Sequence, residues 1–191
     1  EAAGELNVAL IDQPAPDFTL ATAQGTNVRL SDYRGKIVVL EWFNPDCPFT
    51  RYSHRSGLLG SYPAELREQG VVWLGIQSGS GEELAGSLPQ TQDLIAEWGI
   101  DFPILLDREG KVGRRFDATK TPEVFLIDAD GVLRYVGAPD NMPFGKVRGG
   151  GEGQNYLARA IAQLRTGETV TPNCLQAYGC RVRYTQPHRL D

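Results

Sequence analysis

Cys47 stands between an apolar, β-branched run, Ile37-Val38-Val39-Leu40-Glu41-Trp42-Phe43, and a helix-compatible stretch that opens with Pro48-Phe49-Thr50. Asn44-Pro45-Asp46 makes the turn between them. A thiol so placed lies at the carboxyl end of a strand and the amino end of a helix, where unpaired N–H groups and the helix dipole favour an anion. The chemistry implied is nucleophilic, because a thiol of ordinary pKa, about 8.5, is shifted toward the reactive thiolate by such a setting. Arg51 lies one helical turn on, near the same face, and Arg55 repeats the spacing. Either arginine could stabilise the thiolate, and both could equally be solvated helix charges. Thr50 occupies the position three residues after Cys47, so no second cysteine stands there.

Cys174 and Cys180 are the remaining cysteines. Three is odd, so at most one internal disulfide forms at a time and one thiol is left over. Thr121-Pro122 precedes another apolar run, Glu123-Val124-Phe125-Leu126-Ile127. X–Pro bonds alone have a sizeable cis population, and a cis-proline here would set the Thr121 backbone beside an active thiol. An ordinary trans strand start is the plainer alternative. His54 and His188 are the two histidines. His54 falls two turns after Cys47, but two ligands make a poor metal site, so it reads as a surface histidine and no metal is expected. Gly149-Gly150-Gly151-Glu152-Gly153 lacks a P-loop lysine and a preceding strand and reads as a flexible linker.

These groups need a scaffold, and the pattern supplies one. Phe18-Thr19-Leu20 and Val28-Arg29-Leu30 flank a turn, which predicts a hairpin. Ile37–Phe43 suits a strand covered on both faces. Residues 47–68 are helical with a break near Gly57–Pro63, Val71–Ile76 is a second buried strand, and Thr91–Trp98 is a short amphipathic helix. Phe102–Leu106 is extended, Val112–Phe116 forms a turn or two of helix, and Asp128-Ala129-Asp130-Gly131 joins two strands in a hairpin. Asn155–Leu164 is a helix with Leu157, Ile161 and Leu164 inward. Strands alternating with helices predict an α/β layered domain whose reactive groups lie beyond the carboxyl ends of the strands. Residues 1–14 read as a loose arm, 15–165 as the domain and 166–191 as an extended, weakly structured tail that carries Cys174 and Cys180.

Composition narrows the class. The chain has 191 residues, 41% of them hydrophobic, and a formal net charge of −5, which suits one domain with its own core. No basic stripe marks a nucleic-acid binder, and no apolar run approaches the roughly 18 residues that span a membrane. The chain begins at Glu1, which fits a processed signal peptide or a trimmed sequence. With the odd cysteine count this leans toward a periplasmic or secreted protein. The oligomeric state is open.

Cys47-Pro48-Phe49-Thr50 after a buried strand, then Thr121-Pro122 before a strand, then Asp130-Gly131, resembles the thioredoxin superfamily. Gln13-Pro14-Ala15-Pro16-Asp17-Phe18-Thr19-Leu20 and Leu30-Ser31-Asp32-Tyr33-Arg34-Gly35-Lys36 are similar to the redoxin branch, which includes the alkyl hydroperoxide reductase/thiol-specific antioxidant proteins and periplasmic thiol-disulfide oxidoreductases. The resemblance covers about residues 10–165. It implies a thioredoxin-like fold, a central mixed sheet flanked by helices with an N-terminal β-hairpin and an extended C-terminal tail. It also implies thiol-disulfide exchange or peroxide reduction with Cys47 as nucleophile, Thr121 and cis-Pro122 shaping the substrate groove, no cofactor, and a dithiol reductant protein or disulfide-bearing client as partner. Two departures stand out. Thr50 replaces the second cysteine of the dithiol reductases. Leu40 and Asn44 stand where peroxiredoxins have proline and threonine, although Asn44 could donate a hydrogen bond, and with Thr50 and Arg51 it is a candidate thiolate stabiliser. Ala177-Tyr178-Gly179-Cys180 resembles a Gly-Cys tail segment of some redoxins with a Cys-Pro-Phe motif, which implies that Cys180 resolves oxidised Cys47. A Cys174–Cys180 pair, or no role for either tail cysteine, are the alternatives. A non-catalytic module that binds a partner or carries a metal or client is the alternative function.

Overall fold

The computed structural model describes residues 9–79, 81–147 and 149–184. In chain order the elements are β1 (Thr19–Thr22), β2 (Asn27–Arg29), β3 (Val38–Trp42), α1 (Pro48–Arg55), α2 (Tyr62–Glu68), β4 (Val72–Ser78), α3 (Gly81–Trp98), β5 (Ile104–Asp107), α4 (Lys111–Phe116), β6 (Lys120–Thr121), β7 (Glu123–Ile127), β8 (Leu133–Gly137), α5 (Tyr156–Arg165), β9 (Cys174–Leu175) and β10 (Cys180–Arg181). Short 3-10 turns add to these at Leu30–Tyr33, Leu58–Gly60 and Pro143–Gly145.

β3 is buried along its whole length. Its large and β-branched side chains on both faces are stable only with cover on each. It pairs in parallel with β4 on one side and antiparallel with β7 on the other. The mixed sheet runs β2-β1-β5-β4-β3-β7-β8-β9, and the N-terminal hairpin joins through an antiparallel β1–β5 pairing. Strand alternation divides the core into two layers. Val38, Leu40 and Trp42 pack with Phe116 of α4, Phe125 and Ile76. Val39 and Phe43 pack with Leu66 of α2, Tyr135, and Leu157 and Ile161 of α5. α5 is the amphipathic helix anticipated, and Asn155 caps it by accepting a bond from the Ala158 amide at 2.8 Å.

Three expectations need correction. Helix α3 starts at Gly81, not Thr91, and runs through Pro89, which is exposed on it. Proline removes one helical bond, and at an exposed position water meets the freed carbonyl. The arm is tied down where it is described: the Asp12 amide donates to Leu133 O at 2.8 Å, and Pro14 bridges to Val132. The tail is not loose either. β9 adds in parallel to β8, and β10 pairs antiparallel with β6. Tyr178, between them, is buried and donates its hydroxyl to Asp140 Oδ1 at 2.8 Å. Two-residue strands give no periodic signal, so the register of this tail could not be read locally.

Candidate active site

The turn after β3 delivers Cys47 to the N-cap of α1, with Pro48 at the first helical position, where its missing N–H costs nothing. Asn44 shapes the turn: its carbonyl accepts from the Cys47 amide at 3.1 Å and its Oδ1 from the Asp46 amide at 2.9 Å. The Thr121–Pro122 bond is cis, and Thr121 O accepts from Cys47 Sγ at 3.0 Å. Cys180 lies directly opposite Thr121 in the β10–β6 pairing, and Cys180 and Cys47 line the same cleft. All three cysteines are free thiols here. Cys174 is exposed on β9, in the main sheet.

Burial is the largest influence on Cys47, and it disfavours the thiolate. Contacts with Cys180 and Thr121 and the amide of Thr50 oppose it, and the Cys47 pKa is lowered from its ordinary value. Cys180 moves the other way. Burial, its bond to Cys47 and the Cys47 charge hold it protonated, against the pull of Lys120 and Arg183. The two sulfurs are thus an unequal pair, one inclined to ionise and one inclined to donate. Alkylation of Cys47 against pH should give a midpoint below that of an unperturbed cysteine. Cys180→Ala should move that midpoint upward, since the burial stays while a donor is lost. An unchanged profile would mean that the Cys180 thiol does not act on Cys47.

The sulfur is buried but not enclosed in hydrocarbon. A cleft of about 180 Å³ borders it, with Asn44, Asp46, Gln77, Ser78, Arg181 and Arg183 among its lining groups. The Thr50 hydroxyl is buried without a partner. Arg51 is exposed on α1, and the leading influences on the sulfur come from elsewhere. Arg55 is exposed as well, 3.7 Å from Glu97.

The surface role expected for His54 is overturned. His54 is buried, and its Nε2 lies 2.8 Å from Glu41 Oε1. The indole of Trp73 donates to the other oxygen of Glu41 at 3.0 Å. Phe43 meets the imidazole edge-on and Trp98 lies parallel to it. Glu41 was concealed inside an apolar run, and its lone charge there was the only hint. Glu123 is a second buried carboxylate that the sequence did not flag. It accepts from the amides of Thr119 and Lys120 at 2.7 and 3.0 Å, which fixes the segment leading into Thr121. Burial raises its pKa, and those amides oppose the rise. His188 lies outside the described residues. Among the described residues no group of three or more His, Cys, Asp or Glu could hold a metal ion, and no helix is long and apolar enough to cross a membrane.

A thiol whose pKa is lowered, a cis-proline beside it and a second cysteine on the same cleft suit redox chemistry, and sequence comparison agrees. The profile of the AhpC/TSA family matches residues 11–136. This chain belongs to the AhpC/TSA family. Its relatives include the thiol-disulfide oxidoreductase ResA of Geobacillus kaustophilus, 31% identical over 69% of this chain and 71% of that protein. Peroxiredoxin-2 of Cricetulus griseus is 32% identical over 72% of this chain and 73% of that protein. An uncharacterised conserved protein of Geobacillus kaustophilus has the same fold with a TM-score of 0.80 at 24% identity, over 96% of each chain. That coverage takes in most of the C-terminal tail. A secreted Mycobacterium tuberculosis disulfide oxidoreductase shares only the core fold, with a TM-score of 0.50 over 61% of this chain and 79% of that one at 22% identity. The AhpC/TSA protein described here is a thiol-dependent oxidoreductase with a thioredoxin-like fold.

Proposed function

We propose that this AhpC/TSA protein works with a dithiol whose members lie far apart in sequence, Cys47 as nucleophile and Cys180 as resolving thiol. The observation that carries this reading is the pairing of Cys180 with Thr121, which puts the second sulfur where Thr50 of the motif cannot. With a disulfide R–S–S–R′, the Cys47 thiolate forms Cys47–S–S–R and releases R′–S⁻, which takes up a proton. Cys180 then loses its proton, attacks the Cys47 sulfur and releases R–S⁻. With a hydroperoxide, Cys47 becomes a sulfenic acid as ROOH leaves as ROH, and attack by Cys180 gives the same bridge and water. An external dithiol, the partner in either case, reduces the bridge and leaves as a disulfide.

The order of events follows from the unequal pair. Two of the three influences that hold Cys180 protonated, its bond to Cys47 and the Cys47 charge, vanish once Cys47 is oxidised. The resolving thiol is therefore held back until the nucleophile has reacted. Asn44, Thr50 and Arg51 stay in the proposal as groups lining or flanking the thiolate, with the Thr50 amide the best supported. Thr121 and Pro122 form the wall on which substrate rests. A binding module without turnover would leave Cys47 with no second thiol beside it, so this reading is the weaker. We also place the protein in the periplasm or outside the cell, where a reversible disulfide can persist.

Non-reducing peptide mapping after one equivalent of oxidant tests the pairing. The expected product is a Cys47–Cys180 bridge with Cys174 free. A Cys174–Cys180 bridge as the sole product would remove Cys180 from the mechanism.

A further inference from the structure

Beside the reactive sulfur the fold presents a strand edge, and the chain fills that edge itself. β6 lies immediately before the cis-proline, and its Thr121 carbonyl is 3.0 Å from Cys47 Sγ. An extended polypeptide that offered a disulfide to Cys47 would satisfy its backbone on this edge, since an unpaired strand edge is where a further strand adds. β10 already does so, with Cys180 opposite Thr121 and Arg181 opposite Lys120.

The seat is built for this segment. Gly179 passes so close to β6 that a Cβ on it would meet Thr121 O at 2.0 Å, and its φ is +120°. Only glycine combines that conformation with that approach. The segment is fastened on both sides of the contact. Tyr178 donates to Asp140 before it, and beyond it the Val182 amide donates to Thr119 O at 3.0 Å and the Tyr184 hydroxyl to Ala118 O at 2.7 Å. Among the described residues, the cleft that borders Cys47 has a volume of about 180 Å³, below the roughly 300 Å³ at which pockets for drug-sized molecules begin.

We infer that β10 sets the substrate class: it closes the polypeptide edge and restricts Cys47 to low-molecular-weight oxidants, small disulfides or hydroperoxides, that enter through the cleft. This rests on the nucleophilic role of Cys47 proposed above. The external dithiol does not need the closed edge, because the Cys180 sulfur belongs to a half-buried residue on the tail side and can be attacked there.

The test compares two reagents with the same leaving group, in a Cys174→Ser background so that the exposed thiol does not compete. One is the mixed disulfide of 2-mercaptoethanol and thionitrobenzoate. The other is the thionitrobenzoate mixed disulfide of a cysteine within a short extended peptide. Cys47 attacks either disulfide, a new Cys47 disulfide forms and thionitrobenzoate leaves. Its absorbance gives the rate, and loss of that release in a Cys47→Ser control assigns it to Cys47. The peptide should react on the order of 100-fold more slowly than the small reagent, the factor expected when two or three hydrogen bonds must break before it can dock. Gly179→Ala should raise the ratio of the peptide rate to the small-reagent rate by at least about tenfold; the ratio is the readout because moving Cys180 alters the ionisation of Cys47 equally for both reagents. Tyr178→Phe, which loses only the bond to Asp140, should move in the same direction by less and covers the case in which Gly179→Ala does not fold. Equal rates for the two reagents in the parent protein would overturn the inference. So would discrimination that both variants leave intact. Inertness of Cys47 to both reagents would instead remove the nucleophile on which the proposed function stands, and this inference with it.

Discussion

A Cys180→Ser protein should consume one equivalent of oxidant and then stop. Cys47 keeps its helix-end position, its Thr50 amide and its contact with Thr121, so the first step survives. The second step loses its nucleophile. A thiol held against its target acts at an effective concentration far above any added thiol. Steady-state turnover should therefore fall by at least about 100-fold. Intact mass should show the trapped species on Cys47, a mixed disulfide with a disulfide substrate or a sulfenic acid with a hydroperoxide. Cys47→Ser should take up no oxidant at this site. Undiminished turnover in Cys180→Ser would show that external thiol alone clears Cys47, and the divided dithiol would then be wrong.

The second large effect is on stability. Glu41→Ala removes the acceptor shared by His54 and Trp73 in a region with almost no access to water. Each of these donors then stands unpaired, and the lost side chain leaves a void under α1. The expected cost is about 3 kcal/mol, at the low end of what breaking a buried pair by removing one partner costs. Urea denaturation of reduced protein measures it as a fall in midpoint with the slope unchanged. Glu41→Gln keeps the shape and an oxygen for Trp73 and should lose less. Equal midpoints for Glu41→Ala and the parent would mean that water replaces the carboxylate without penalty.

The contrast between Cys47 and Glu41 explains what sequence could and could not reveal. Cys47 is set by neighbours in sequence: strand, turn and helix start lie within ten residues, and each has a local signature. The same holds for the β7–β8 hairpin, whose Asp-Ala-Asp-Gly turn fixes its position. Glu41 becomes informative only when β4 brings Trp73 to it and α1 brings His54, which are contacts between elements. His54 looked like a solvated helix residue because the helix pattern alone cannot say which face another strand's carboxylate will meet. The pairing of Cys180 with Thr121 is of the same kind. The tail carries a glycine and a cysteine but no periodicity, and its register depends on a carbonyl far away in sequence. The start of α3 is a further miss: the helix runs back through Pro89 to Gly81, although a proline inside a helix is locally disfavoured.

Placing the two sulfurs far apart in the sequence has a consequence for biogenesis. A Cys-x-x-Cys motif is complete as soon as one turn of helix emerges, so it can exchange disulfides in an immature chain. Here Cys47 is synthesised long before Cys180, and the two are brought together only where β10 pairs with β6. If Cys180 resolves Cys47 as proposed, a chain that stops short of Cys180 can react once but not cycle, so redox turnover depends on a segment far along the chain being in place.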